Sequence, residues 1–150
     1  MKFFSKQETI AVFFILTFIF LISFFNFRIA LRRGRDNERV NDLSDIGKIL
    51  DEYKSKNSIY PPSLLSLLNV PKDPSTPNGR SYLYLTDGKF FQLYASLEGS
   101  GESEYSQKVY NLNLKCGKFV CNFGRGSGGI PLDKSIQEYE NEIYAKSKKK

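Results

Sequence analysis

An uncharged run from Ile10 to Phe27, IAVFFILTFIFLISFFNF, passes with no loop signal into a second stretch of helical periodicity, and nothing else in the chain constrains its fold as strongly. Only Thr17, Ser23 and Asn26 in the run are polar. A helix of that length rises about 27 Å, close to the roughly 30 Å hydrocarbon core of a bilayer. The run therefore predicts a transmembrane half-helix over 10–27, behind a short leader-like N-terminus over 1–9. It is longer than the apolar core of an ordinary secretory signal, and RIALRRGR follows it in place of a small-residue cleavage site, so a retained anchor is the preferred reading over a cleaved signal. Beyond Arg28 the residues Val40, Leu43, Ile46, Leu50 and Tyr53 recur at steps of three or four with polar residues between them. That spacing predicts an amphipathic second half over 28–57 whose apolar stripe packs on the rest of the chain. Gly34 costs the helix about 1 kcal/mol relative to Ala without requiring a break. The helix must end before the Tyr60-Pro61-Pro62 step, because the residue before a proline is pushed out of helical geometry.

Residues 58–150 are left for a small head. Ser63 to Leu68 reads as a short helix or turn that turns Leu64, Leu65, Leu67 and Leu68 toward the core. PKDPSTPNGR, residues 71–80, is dense in turn formers and predicts a surface loop. Ser81–Leu85 and Lys89–Leu97 are rich in Tyr, Phe and Leu, and Asp87-Gly88 between them signals a hairpin. Alternation sets Phe91, Leu93, Ala95 and Leu97 on one face, above the stripe of the long helix. A third strand is expected over Val109–Leu114 with Phe119–Phe123 as its partner, a flexible linker over GRGSGG at 124–129, and a helix over Leu132–Ala145 with Ile136, Tyr139 and Ile143 on one side. The fold class is α+β: a long N-terminal helix on a small antiparallel sheet.

The net charge of +6 suggests a nucleic-acid partner until it is divided along the chain. Residues 1–39 hold seven basic and three acidic residues, residues 40–145 eleven basic and thirteen acidic, and Lys146, Lys148, Lys149 and Lys150 supply the rest. A slightly acidic head lacks the phosphate-neutralising surface that non-specific nucleic-acid binding needs, so nucleic acid is not the expected partner. The tail reads as a solvated terminus, with anionic lipid or polymer as the alternative. There is no His. His-based acid–base catalysis and most zinc sites are thereby excluded, no catalytic residues or metal ligands are assigned, and an enzyme is not expected. Cys116 and Cys121 are spaced wider than a redox C-x-x-C pair and are too few for a zinc cage. They suggest either a structural disulfide, which would place the head in an oxidising compartment, or two unpaired thiols.

Several stretches in this order resemble one family. They are Glu8 at the start of the apolar run, GRDNERVNDLSDIGKILDEY at 34–53, Ile59-Tyr60-Pro61-Pro62 with Leu64, VPKDPST at 70–76, the strands SYLYL and FFQLYASLE, and CNFG at 121–124. Together they resemble the type IV pilin and type II secretion pseudopilin superfamily, most closely its major-pseudopilin branch. The resemblance implies one anchored helix, an extracytoplasmic head, and assembly with copies of itself and with pilus or secretion machinery into a filament. It also implies leader processing between Phe3 and Phe4, after which the amino group of Phe4 pairs with Glu8 of a neighbouring subunit. Phe3 stands where the family has Gly, and the apolar run lacks the family's Gly and Pro.

A carboxylate beside an apolar span is costly unless paired, so Glu8 is the residue least like ordinary surface. Its alternative placement is at headgroup level near Lys6 and water. Glu98, Glu102 and Glu104 near Gly99 and Gly101 are candidate calcium ligands, but they lack the alternating Asp pattern of organised calcium loops, and solvated loop charge is the preferred reading. No cofactor is expected. A second function class stays open: a single-pass anchored interaction protein that does not polymerise. Arg28, Arg32, Arg33, Arg35 and Arg39 crowd the C-terminal flank of the span while only Lys2 and Lys6 precede it, which taken alone would keep the head in the cytosol.

Overall fold

The computed structural model describes residues 5–148, so Phe3 and Phe4 lie outside the described residues. The architecture is α+β. One helix, α1 (Lys6–Asn57), precedes β1 (Leu83–Thr86), β2 (Phe91–Ala95), α2 (Gln107–Asn111), β3 (Lys115–Cys116), β4 (Phe119–Val120), β5 (Phe123–Gly126) and α3 (Ile136–Ser147). The chain divides into two compact units between Gly34 and Arg35. The first consists of the N-terminal part of α1, and the second holds the remainder of α1 and every other element.

In the first unit the helix starts on a reciprocal cap. The Ser5 N–H donates to Glu8 Oε2 at 2.6 Å, and the Glu8 N–H donates to Ser5 Oγ at 3.3 Å. This satisfies two of the donors that a helix start leaves unpaired. From Ile10 onward the large apolar side chains are exposed, with Phe13 at 66% and Phe20 at 67%. The helix is long and apolar enough to cross a membrane.

In the second unit α1 buries Asp36, Arg39, Leu43, Ile46 and Leu50, a stripe at steps of three and four that faces one side. It ends at Asn57, ahead of the prolines, with Lys54 and Lys56 in the last turn, where cations favour the negative end of the helix dipole. Leu43, Ile46 and Leu50 pack with Tyr60, Phe91, Leu93, Ala95, Leu97 and Phe123, and Val40 lies against the edge of that cluster. Full burial of each Leu or Ile contributes about 1.5–3 kcal/mol, so this cluster dominates the stability of the head. Tyr53 is half-buried and is not part of the cluster, whereas Tyr60, beyond the end of the helix, is.

The sheet is antiparallel in the order β1-β2-β5. Leu83 pairs with Tyr94 and Thr86 with Phe91, around a turn in which Asp87 Oδ1 accepts from the N–H groups of Lys89 and Phe90. The central strand is buried throughout. Its alternate residues Gln92 and Tyr94 face away from α1: Gln92 Nε2 donates to the carbonyls of Pro131 and Lys134, and the Tyr94 hydroxyl to that of Leu132. Tyr94 also packs on Val109, Cys116 and Cys121. Cys116 and Cys121 form a disulfide that closes the β3–β4 hairpin.

Four sequence expectations are corrected. The segment expected as a strand at 109–114 begins as the short helix α2, because Ser106 caps it by accepting from the Val109 N–H, and Val109 turns into the second cluster. The predicted linker at 124–129 instead contributes to β5, with Gly124 opposite Tyr94 and Gly126 opposite Gln92. Its glycines serve close approach, for a Cβ on Gly124 would lie 2.7 Å from the Leu93 carbonyl oxygen and one on Gly126 2.3 Å from the Ile130 side chain. Leu65 and Leu68 point outward, 95% and 88% exposed, because the turn at 64–66 is a 3-10 helix of about three residues per turn that sets Leu64 and Leu67 on the inner side. Finally, the loop at 71–80 is not wholly surface, since Asp73 and Ser75 are buried.

Candidate functional site

Two features stand apart from ordinary core and surface: the uncovered apolar helix with Glu8 at its head, and a buried ionic cluster in the second unit.

The cluster is centred on Arg39, whose side chain is fully buried. Arg39 Nε donates to Asp73 Oδ2 at 2.9 Å and Nη1 to Asp36 Oδ1 at 2.7 Å. Its Nη2 donates to Asp73 Oδ1 at 3.2 Å and Ser75 Oγ at 2.9 Å, and lies 3.1 Å from Glu98 Oε1. Burial pushes the guanidinium's pKa down, but the bonds and negative charge of Asp73, Asp36 and Glu98 outweigh burial and leave it above its ordinary value. Arg35 closes the outer side with a bidentate pair to Glu98, 2.8 Å and 2.6 Å. The Arg35 pair holds the Glu98 carboxyl down to about 2, against the opposing effect of burial and with further help from Arg39. The Asp36 carboxylate also accepts from the backbone N–H groups of Glu98 and Gly99. One turn of α1 thus fixes the loop after β2 and the loop at 71–80 together.

Glu98, read from sequence as solvated loop charge, is therefore committed to two arginines, and Arg35 and Arg39, read as part of a basic flank, belong to the head. The centre of the three carboxylates is filled by the Arg39 guanidinium. Among the described residues no group of three or more His, Cys, Asp or Glu side chains is gathered around a space for a metal ion. The signal for Arg39 was present in its spacing: Asp36 and Arg39 extend the stripe of Leu43, Ile46 and Leu50 by one turn. Polarity disguised it.

Two further contacts brace the same region. Tyr82 donates its hydroxyl to Asp42, and burial with that bond raises its pKa. Arg80 donates to the Ser96 carbonyl and hydroxyl and stacks 3.9 Å from the centre of the Phe119 ring.

The N-terminal candidates are differently placed. Glu8 is exposed and, among the described residues, is bonded within its own first turn, through Ser5. The packing residues Val40, Leu43, Ile46 and Leu50 are brought together with β2. No family model, curated protein or solved structure matches the chain. What stands established is an α+β protein with one helix apolar enough to cross a membrane and a disulfide-closed hairpin in its head.

Proposed function

We propose that the chain is a structural subunit of a type IV pilus-like or type II secretion pseudopilus filament, anchored by residues 10–27 in the membrane before assembly, with its head outside the cytoplasm. The observation that carries this reading is the division of labour along α1. One stretch exposes a continuous apolar surface, and the other is the spine on which a small antiparallel sheet is built. A chain of this kind has no covering for its apolar helix except lipid or other helices, and exchange of the first for the second is what assembly requires. The disulfide supports an oxidising location for the head, since such bonds persist where thiols are not kept reduced.

Glu8 is the residue through which assembly is tested. In lipid-level contact with other helices its charge needs a cation from a neighbour, the amine of Phe4 after processing or Lys6 or Met1 without it. Its cap on Ser5 gives the test a useful property, because Gln at the third helical position closes the same box. Glu8→Gln therefore keeps the helix start and removes only the charge. Head folding and membrane insertion are expected to persist, while filaments recovered by shearing and counted by electron microscopy fall. Undiminished filaments from the Gln variant, or none from the unmodified protein with its assembly machinery present, would remove this role.

The second reading, an anchored interaction protein that does not polymerise, is favoured by the arginines that flank the end of the span, which set the charge balance against export of the head. Absence of filaments together with a cytosolic head would establish it.

A further inference from the structure

We propose that the outer edge of β1 is a docking site for an extended peptide segment of a partner protein, which adds to the sheet as a further strand and seats two of its side chains in hollows on opposite faces. The inference lies wholly within the head and does not depend on filament assembly.

The phase of the sheet exposes the edge. The Asp87 N–H donates to the Phe90 carbonyl, whereas the Phe91 N–H donates to Ser127 Oγ and the Ala95 carbonyl accepts from the Asn122 N–H. Odd-numbered residues of β2 therefore turn their backbone groups toward β5, and even-numbered ones toward β1. Gln92 and Tyr94 lie opposite Leu85 and Leu83, so Leu83 and Leu85 bond to β2 while the N–H and carbonyl groups of Tyr84 and Thr86 point outward. None of these outward groups has a hydrogen-bond partner among the described residues. Such an edge is a template for another strand unless charge, proline or a bulge blunts it. β1 carries no charged residue and no proline, and its register with β2 is unbroken.

Side chains of an added strand continue the alternation of β1. On the α1 side, Tyr82 shares an apolar hollow of about 320 Å³ with Leu64, Leu65 and Val70. On the opposite side, Leu85 shares one of about 390 Å³ with Gln92 and Ile136. Tyr82 and Leu85 stand three positions apart, an odd step that spans about 10 Å and changes face. One added strand thus reaches both hollows with residues three positions apart.

The second hollow also specifies what enters it. Gln92 is fully buried and its Nε2 is committed to the Pro131 and Lys134 carbonyls, yet its Oε1 accepts from no donor among the described residues. Because the carboxamide is planar, Oε1 is turned away from those carbonyls, and a buried acceptor left without a donor is costly. Asp87 and Glu140 line the same hollow, and Glu140 is already paired with Lys89, so the remaining charge is negative. A lysine answers both the acceptor and the charge. The occupant is therefore a β-forming segment in which, for antiparallel addition, a lysine precedes an apolar residue by three positions. β1 of a second copy has no lysine to offer, which favours a different sequence as the partner.

Hydrogen exchange at single amides of the detergent-solubilised full chain, read by NMR, tests the site. The probe is a blocked peptide of about seven residues, threonine and valine except for a lysine and, three positions on, a leucine. It is expected to slow exchange severalfold at Tyr84 and Thr86 while leaving the already bonded Leu83 and Leu85 unchanged. Methylating the backbone nitrogens of the two residues that flank the lysine should abolish the protection, and methylating that of the lysine itself should not. Norleucine in place of the lysine should weaken the peptide severalfold. Leu65→Asp should do the same without disturbing the fold, since that side chain is 95% exposed. No protection at millimolar peptide, or protection indifferent to which nitrogens are methylated, would overturn strand addition. Indifference to norleucine would overturn the part assigned to Gln92. Protection of Tyr84 and Thr86 that rises with protein concentration in the absence of peptide would give the edge to a second copy and overturn the partner.

Discussion

A guanidinium withdrawn from water costs several kcal/mol unless its donors and charge are answered, and Arg39 is answered by Asp36, Asp73, Ser75 and Glu98. The cluster is consequently fragile to removal of its centre. Arg39→Met is expected to destabilise the head by about 3–5 kcal/mol, because Asp36 and Asp73 are left buried without their cation. Lys48→Met, which removes an exposed pair, should cost under about 0.5 kcal/mol. Urea denaturation of the detergent-solubilised chain measures both, and equal midpoints would contradict the assignment. Glu98 makes the same cluster sensitive to acid. Its folded value is depressed to about 2 from an ordinary 4.5, so the stability it contributes is fully present above the ordinary value and is lost as pH falls toward about 2. Its side chain is 17% exposed, and after allowance for solvent screening the contribution is about 1–2 kcal/mol. Glu98→Gln should lower stability at neutral pH and flatten the decline between about pH 5 and pH 2. An unchanged slope in the Gln variant would show that other carboxyls carry it.

Among the elements, Leu43 and Asp45 sit on opposite sides of the same turn of α1, one in the main cluster and one in solvent. Leu43→Ala should cost about 2–5 kcal/mol and Asp45→Ala little, read as a difference in melting temperature. The long helix, the β1–β2 hairpin and α3 were legible because each obeys one period with clear stops: the Tyr60-Pro61-Pro62 step, the Asp87-Gly88 turn, and apolar Ile136 and Tyr139 at helical spacing. Ile136 is indeed buried and Tyr139 meets the Phe90 ring edge-on. The remaining segments were less legible, each for its own physical reason. Val109 is the one buried residue of a short helix, too little for a period to declare itself. Gly124 and Gly126 are required by neighbours distant in sequence, and glycines read locally suggest looseness. Leu65 and Leu68 were placed inside because Leu is ordinarily buried, whereas the tighter 3-10 turn divides the four leucines into inner and outer pairs. The ionic cluster was missed because Asp73 and Glu98 lie far from Arg39 in sequence, although the turn that carries Arg39 continues the apolar stripe.

For the molecule as a whole, the two proposed readings differ in the side of a membrane on which residues 58–150 would lie. Asn78 lies in an exposed 3-10 turn of the 71–80 loop, and Asn78→Cys provides a reactive thiol there. Labelling by a membrane-impermeant maleimide in intact cells is the expected outcome; labelling only after lysis would place the head in the cytosol. The strand order β1-β2-β5 carries one more consequence, for synthesis. The central strand is complete once Ala95 has been made, but its second partner begins at Phe123. Translation proceeds at about 5–20 residues per second, so that edge of β2 stays unpaired for roughly two to six seconds in every nascent chain. Protection of that one open strand edge is therefore a matter of how fast the ribosome moves.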